Sequence, residues 1–228
     1  MPTPKQLGYL GLLGALFSFT AFVLQRDVSE QPASSRDPMR ARALLTTLTS
    51  VLSAIGMEYY ARYAHGTLWH GRWWSIHATH HTRKSERDTF ERNDVFSLAN
   101  VVAIVPAMAW ASFAPPSLPR AALLGFTVGA SAFGTAYMVI HDGVAHRRFP
   151  TGPLRRVPWI RRVADAHAEH HKGAMAAPYG LFLGPAELAA KAAGRAPAPA
   201  PRCLCCGLVV SAAYTLAGLS WELCSAVV

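Results

Sequence analysis

The stretch VFSLANVVAIVPAMAWASFAPPSLPRAALLGFTVGASAFGTAYMVIHDGVAH (95–146) decides the fold. It holds two apolar runs, Val95 to Ala114 and Ala121 to Ile140, each near the roughly 20 helical residues needed to cross bilayer hydrocarbon. Only Pro115, Pro116, Ser117, Leu118, Pro119 and Arg120 separate them, so the runs form a tight hairpin that returns the chain to the face it left. Working outward, two more runs of this kind, Leu7 to Leu24 and Ala43 to Tyr60, predict four spans in an all-α, polytopic membrane protein. The first reads as an anchor in preference to a signal sequence, because its flank carries one Lys and no small-residue cleavage site follows it.

Composition points the same way. Of 228 residues 51% are hydrophobic and 15% charged, with a mean hydropathy of +0.18, which argues against an ordinary soluble domain. The apolar content and the lack of a Gly period exclude disorder and collagen. Four Cys, all between Cys203 and Cys224, are too few for a disulfide-built secreted fold.

Lys and Arg number 22 against 13 Asp and Glu, a net charge of +9. With four spans, Lys5, six Lys/Arg from Arg62 to Arg92 and seven from Arg147 to Lys172 share one face, fourteen in all. Arg26, Arg36, Arg40, Arg42 and Arg120, five in all, take the other. The positive-inside bias puts the richer face toward the cytoplasm or its organellar equivalent, the stroma. Topology and lipid head groups thus account for the charge. With no RNP, zinc-finger or helix-turn-helix signature in the sequence, no nucleic-acid partner is expected.

A single membrane-integral domain is expected over 1–190. Residues 191–228 combine an Ala/Pro linker, Ala193 to Pro201, with an apolar tail from Leu204 to Val228 that reads either as filler or as a fifth span. Cys203, Cys205 and Cys206 lack the C-x2-C spacing of a metal clip and read as apolar residues in preference to palmitoylation sites.

All ten His fall in two windows, and the same pattern occurs in each. His65 and His70 form H-x4-H and His77, His80 and His81 form H-x2-H-H; His141 and His146, then His167, His170 and His171, repeat both boxes. On a helix, residues three and four apart share a face, so each H-x2-H-H box is expected to project one group of imidazoles. Residues five apart stand about 140° apart on an ideal helix, so each H-x4-H box needs a helix break, or two separate ions, to be used. Both window starts follow the end of a span, at Tyr60 and Ile140, on the same predicted face. Imidazole-rich sites without thiolates suit Zn, Cu, Ni or Fe, and eight or more nitrogens exceed the needs of one ion, so two metal ions are expected.

Carboxylates that orient metal-bound rings are sought nearby, and Glu58, Asp94, Asp142, Asp165 and Glu169 lie close in sequence. Glu58 closes an apolar span, where an ionisable group is a functional suspect or a snorkelling interface residue. Asn93 is a candidate holder of metal-bound water or a helix cap.

The four boxes resemble the membrane fatty-acid hydroxylase superfamily of non-haem di-iron oxygenases. GMEYYARYAH (56–65), LWH (68–70), ERNDVF (91–96), AYMVIHDGVAHRRFP (136–150) and PYGLFLGP (178–185) are similar, more closely, to the β-carotene hydroxylase family in its plant and algal form. The likeness covers about residues 43–190; the charged segment Thr82 to Thr89 and the Cys-containing tail depart from it. It implies hydroxylation at C3 of the β-ionone rings, giving β-cryptoxanthin and then zeaxanthin, with O2 and two iron ions held by all ten His. It also implies a plastid membrane, with a bacterial inner membrane as the alternative.

Breaking an unactivated C–H bond needs an oxidant that iron and O2 supply and no side chain does. The sequence has no G-x-G-x-x-G turn and no ferredoxin-type Cys spacing, so electrons must come from an outside donor, a ferredoxin or an NAD(P)H reductase. The basic face suits an acidic ferredoxin as well as lipid. Trp69, Trp73, Trp74, Phe96 and Tyr137 are candidates for the ring pocket, or are interface aromatics. The rival readings are a hydroxylase or desaturase of acyl or sterol chains, a carotenoid ketolase, and a His-rich metal transporter. The last is disfavoured because the four spans carry no Asp, Lys, Arg or His before their ends at Glu58 and His141.

Overall fold

The computed structural model describes residues 36–82, 90–173 and 177–195, which form helices joined by turns and loops, with no strand among them. The predicted first span, the Thr82 to Thr89 segment for the most part, and nearly all of the linker and tail lie outside the described residues. Six α-helices are described: α1 (Arg36–Tyr63), α2 (Trp74–His81), α3 (Val95–Phe113), α4 (Leu118–Met138), α5 (Pro158–Lys172) and α6 (Gly184–Ala192). α1 runs on as a π-helical segment, Ala64–Arg72, and α4 as another, Val139–Ala145. The chain forms two compact units, one of Met1–Met57 with Lys84–Thr151 and one of Glu58–Arg83 with Gly152–Val228.

In the first unit the expected hairpin is present. Asp94 accepts from the Glu91 amide (3.0 Å) ahead of α3, and Ser117 accepts from the Arg120 amide (3.3 Å) at the start of α4, where Pro119 occupies the first turn. Arg120, counted above as a topology charge, is buried and donates from Nε to the Ala111 carbonyl (2.6 Å) and from Nη2 to that of Ser112 (3.4 Å). It closes the carbonyl end of α3, which a helix terminus otherwise leaves unbonded. Met108, Ala111, Leu124 and Val128 form the core between these two helices.

Among the described residues two stretches are long and apolar enough to cross a membrane, Arg92–Phe113 and Leu118–Ala145. The expected span Ala43 to Tyr60 is helical within α1 but is not among them, because Thr46, Thr47, Thr49, Ser50 and Ser53 dilute its hydropathy. Thr46 and Ser53 bond α4, Thr46 Oγ1 donating to the Ala121 carbonyl (3.1 Å) and Ser53 Oγ to that of Phe126 (2.8 Å), while Thr47 is exposed and donates to the Ala43 carbonyl of its own helix. A Cβ on Gly125 would stand 1.9 Å from Thr49 Oγ1, and one on Gly129 2.0 Å from the Ser50 carbonyl oxygen, so glycine is what permits this approach. Leu44, Leu48, Val51, Leu52 and Ile55, on the other side of α1, are exposed. The helix is inverted relative to a soluble one, polar toward its neighbour and apolar outward.

The second unit contains the end of α1, its π segment, α2, α5 and α6. Pro158 opens α5, which buries Val163, Ala166, His167 and His170 on one side. α6 packs on α5, with Gly184 against Ala166.

Candidate metal centre

π winding resolves the H-x4-H spacing. A π-helix bonds i to i+5, so fifth neighbours, which diverge on an α-helix, come onto one face. The ring centroids of His65 and His70 stand 4.9 Å apart and those of His141 and His146 4.7 Å apart. The His146 amide donates to the His141 carbonyl at 2.9 Å, the i to i+5 bond itself.

The H-x2-H-H boxes behave otherwise than expected. Neither presents one group; each is divided between two. His65, His70, His77, His81 and His170 bring one ring nitrogen apiece within 4.8 Å of all the others, and His80, His167 and His171 do the same. α2 thus gives His77 and His81 to the first group and His80 to the second, while α5 gives His170 to the first and His167 with His171 to the second. The reason is helical pitch: residues four apart differ by about 40° and adjacent residues by about 100°, so the middle His of each box points away from the outer pair. The His81 and His171 rings stack at the boundary, 4.3 Å apart.

Within the groups, Nε2 atoms face one another: His70 and His170 at 3.1 Å, His77 and His81 at 3.1 Å, His167 and His171 at 2.9 Å. Two imidazole nitrogens each about 2.1 Å from one ion and at a right angle are about 3.0 Å apart, so these spacings fit shared coordination. His65 is the most informative. Its Nδ1 lies 2.8 Å from the Tyr179 carbonyl, which only accepts, so the hydrogen is on Nδ1. Nε2 is therefore a bare acceptor, buried and without a hydrogen-bond partner, among four other imidazoles. Burial first, then the neighbouring His170, His77 and His70 rings, hold His65 well below the ordinary histidine pKa and keep it neutral. A neutral ring oriented by a carbonyl is the form that binds a metal.

A carboxylate frame supports the Tyr179 loop. Glu187 accepts from the Tyr179 amide through Oε2 (3.1 Å) and from the Gly180 amide (3.1 Å) and Arg62 Nε (2.8 Å) through Oε1. Glu58 Oε1 accepts from the Leu183 amide (2.9 Å). Glu58, expected beside a ring, holds the loop instead. Asp165 and Glu169 lie on the exposed side of α5, Glu169 paired with Lys172, opposite its buried histidines. Arg62 and Glu187 were not singled out in the sequence, where the one available signal is a lone Glu after the apolar PYGLFLGP string.

In the other unit Asp142 Oδ1 meets His141 Nδ1 at 2.7 Å, and Arg148 bonds both Asp142 (3.2 Å) and, in bidentate fashion, Asp94 (2.8 Å at Nη1). Burial raises the Glu91 carboxyl above its ordinary range against the opposing pull of Arg148. Asn93 lies in the short 3₁₀ turn Arg92–Asp94. Trp69 packs on His65 and His77 and Trp74 on His70, His77 and His81. Tyr137 stacks on His141, whereas Trp73 is exposed and Phe96 half-buried on α3.

Helices bearing two clusters of imidazoles, each able to hold a metal ion, define a histidine-box protein. The chain belongs to the fatty acid hydroxylase family, whose model matches residues 50–187, a range that contains all ten His and Glu187. It is 44% identical over 144 residues to a chloroplastic β-carotene 3-hydroxylase of Gentiana lutea, and 45% over 148 residues to one of Haematococcus lacustris. Each match covers 63% of this chain and 44% of the relative, so the chain spans less than half their length. A β-carotene hydroxylase of Pseudescherichia vulneris is 32% identical over 130 residues, 56% of this chain and 69% of the relative. No solved structure matches the chain.

Proposed function

We propose that this chain is a membrane-bound, non-haem di-iron β-carotene 3-hydroxylase, converting β-carotene through β-cryptoxanthin to zeaxanthin. The observation that carries this reading is the division of eight imidazoles into two groups, each of a size for one ion, in a chain whose relatives are named for that reaction. His141 and His146 complete the proposed ligand set of ten.

Bound iron with O2 would supply an oxidant able to break a ring C–H bond. One oxygen atom ends in the C3 alcohol and the other leaves as water, with two electrons and two protons supplied from outside. Burial keeps the His65 ring neutral, and the Tyr179 carbonyl keeps its lone pair on Nε2. Trp69 and Trp74 wall the first group with apolar surface, which limits water beside the reacting carbon.

The substrate is as apolar as the bilayer. We place α1, α3 and α4 across a plastid membrane, on the strength of α1's outward Leu, Val and Ile row and the two long apolar helices. A carotenoid spanning roughly 30 Å of hydrocarbon offers one ring at each surface. The His boxes follow the ends of α1 and α4, at the basic face, where an acidic ferredoxin-type donor is proposed to dock.

Pigment analysis of a bacterial strain that accumulates β-carotene, with and without the chain, tests the proposal. β-Cryptoxanthin and zeaxanthin are expected. Canthaxanthin would move the chain to the ketolases, and unchanged β-carotene beside a hydroxylated acyl chain would support the second reading that the family's description favours, a fatty acid hydroxylase.

A further inference from the structure

His65 is oriented by a main-chain carbonyl, and no side-chain substitution at Tyr179 removes that group. Its position depends on whatever holds the loop's amides. Glu187 holds two in succession, Tyr179 through Oε2 and Gly180 through Oε1, and its own carboxylate is held by Arg62 Nε from the last turn of α1, three residues before His65. One turn earlier on α1, Glu58 fixes the Leu183 amide farther along the loop. A Cβ on Gly180 would stand 2.9 Å from an oxygen of each carboxylate, so the loop backbone lies directly against both.

We propose that Glu187, braced by Arg62, is a positioning residue: it sets the Tyr179 carbonyl, and through it the tautomer and aim of His65 toward the metal of the first group. The inference rests on the metal reading above. A ligand histidine's outer partner contributes about 10- to 100-fold to metal affinity. Glu187 reaches the ring at one remove, so the lower end applies. Glu187→Gln is nearly isosteric, but its amide NH2 opposes the Tyr179 N–H where Oε2 accepted it, so the loop loses that hold while the volume is kept.

The test uses the full chain purified in detergent and stripped of metal, titrated with Fe(II) and followed by Mössbauer spectroscopy, with the melting of each apo form measured alongside. Wild type is expected to bind two irons. Glu187→Gln should weaken one of them by about 10-fold, altering one spectral doublet and leaving the other, whether or not loss of the ion pair with Arg62 lowers the apo melting temperature. Arg62→Lys, which keeps a cation against Glu187, should lie closer to wild type than Arg62→Gln. Two irons bound by Glu187→Gln with wild-type affinity and spectra would overturn the assignment, as would loss of both irons in step with a lowered apo melting temperature. A wild-type chain that binds no iron would overturn the metal reading and the inference with it, and is told apart by the wild-type arm alone.

Discussion

At the scale of single residues, a metal-binding histidine almost always donates a hydrogen bond from its other nitrogen, and His65 has such a partner in the Tyr179 carbonyl and His141 in Asp142. Replacing His170 by Ala removes a nitrogen from the first group and replacing His80 removes one from the second. Each substitution should therefore lower iron below two per chain and abolish the hydroxylated product while membrane insertion is kept, as iron analysis and fractionation would show. Asp142→Asn should cost about 10- to 100-fold in metal affinity or turnover, because the amide no longer stabilises the His141 Nδ1 hydrogen and loses charge against Arg148. The ten histidines were legible in the sequence because their spacing repeats. Arg62, Arg148 and Glu187 were not, because they act through backbone amides or other carboxylates and leave no spacing of their own.

At the scale of elements, the two π segments do the work that a helix break was expected to do. Local pitch is set by packing, and no residue pattern in Ala64–Arg72 announces it, so the convergence of His65 with His70 could be required from sequence but not explained. Deleting Gly66 gives H-x3-H, which an ordinary α-helix presents on one face; inserting one Ala between Leu68 and Trp69 gives H-x5-H, which neither winding aligns. The deletion should retain more iron than the insertion, measured as metal per folded chain. The division of each H-x2-H-H box was readable from the 100° step, yet counting three- and four-residue neighbours as one face concealed it. The hairpin was legible because proline and short length leave one topology. The polar side of α1 was visible as Thr and Ser, and only the structure shows that it is the packed side. Gly129→Ala places a methyl against the Ser50 carbonyl and should destabilise the α1–α4 pairing by about 1–3 kcal/mol, seen as a lowered melting temperature in detergent.

At the scale of the whole molecule, the charge excess and the electron requirement bear on the same surface. On the proposed reading each hydroxylation consumes two electrons, and a separate acidic carrier is proposed to deliver them. Arg155, Arg156, Arg161 and Arg162 are all exposed and flank Trp159 at the start of α5, the helix that gives His167, His170 and His171. An acidic carrier steered to that segment associates faster at low salt, because charges separated by more than about 10 Å are screened at 0.1 M ionic strength. Changing the four arginines to Gln should raise KM for an acidic ferredoxin and flatten its salt dependence, while iron content and kcat at saturating donor stay as in wild type. An unchanged KM, with the chain instead released more readily from anionic-lipid vesicles, would assign this segment to the membrane surface, and the donor's docking site would then lie elsewhere on the basic face.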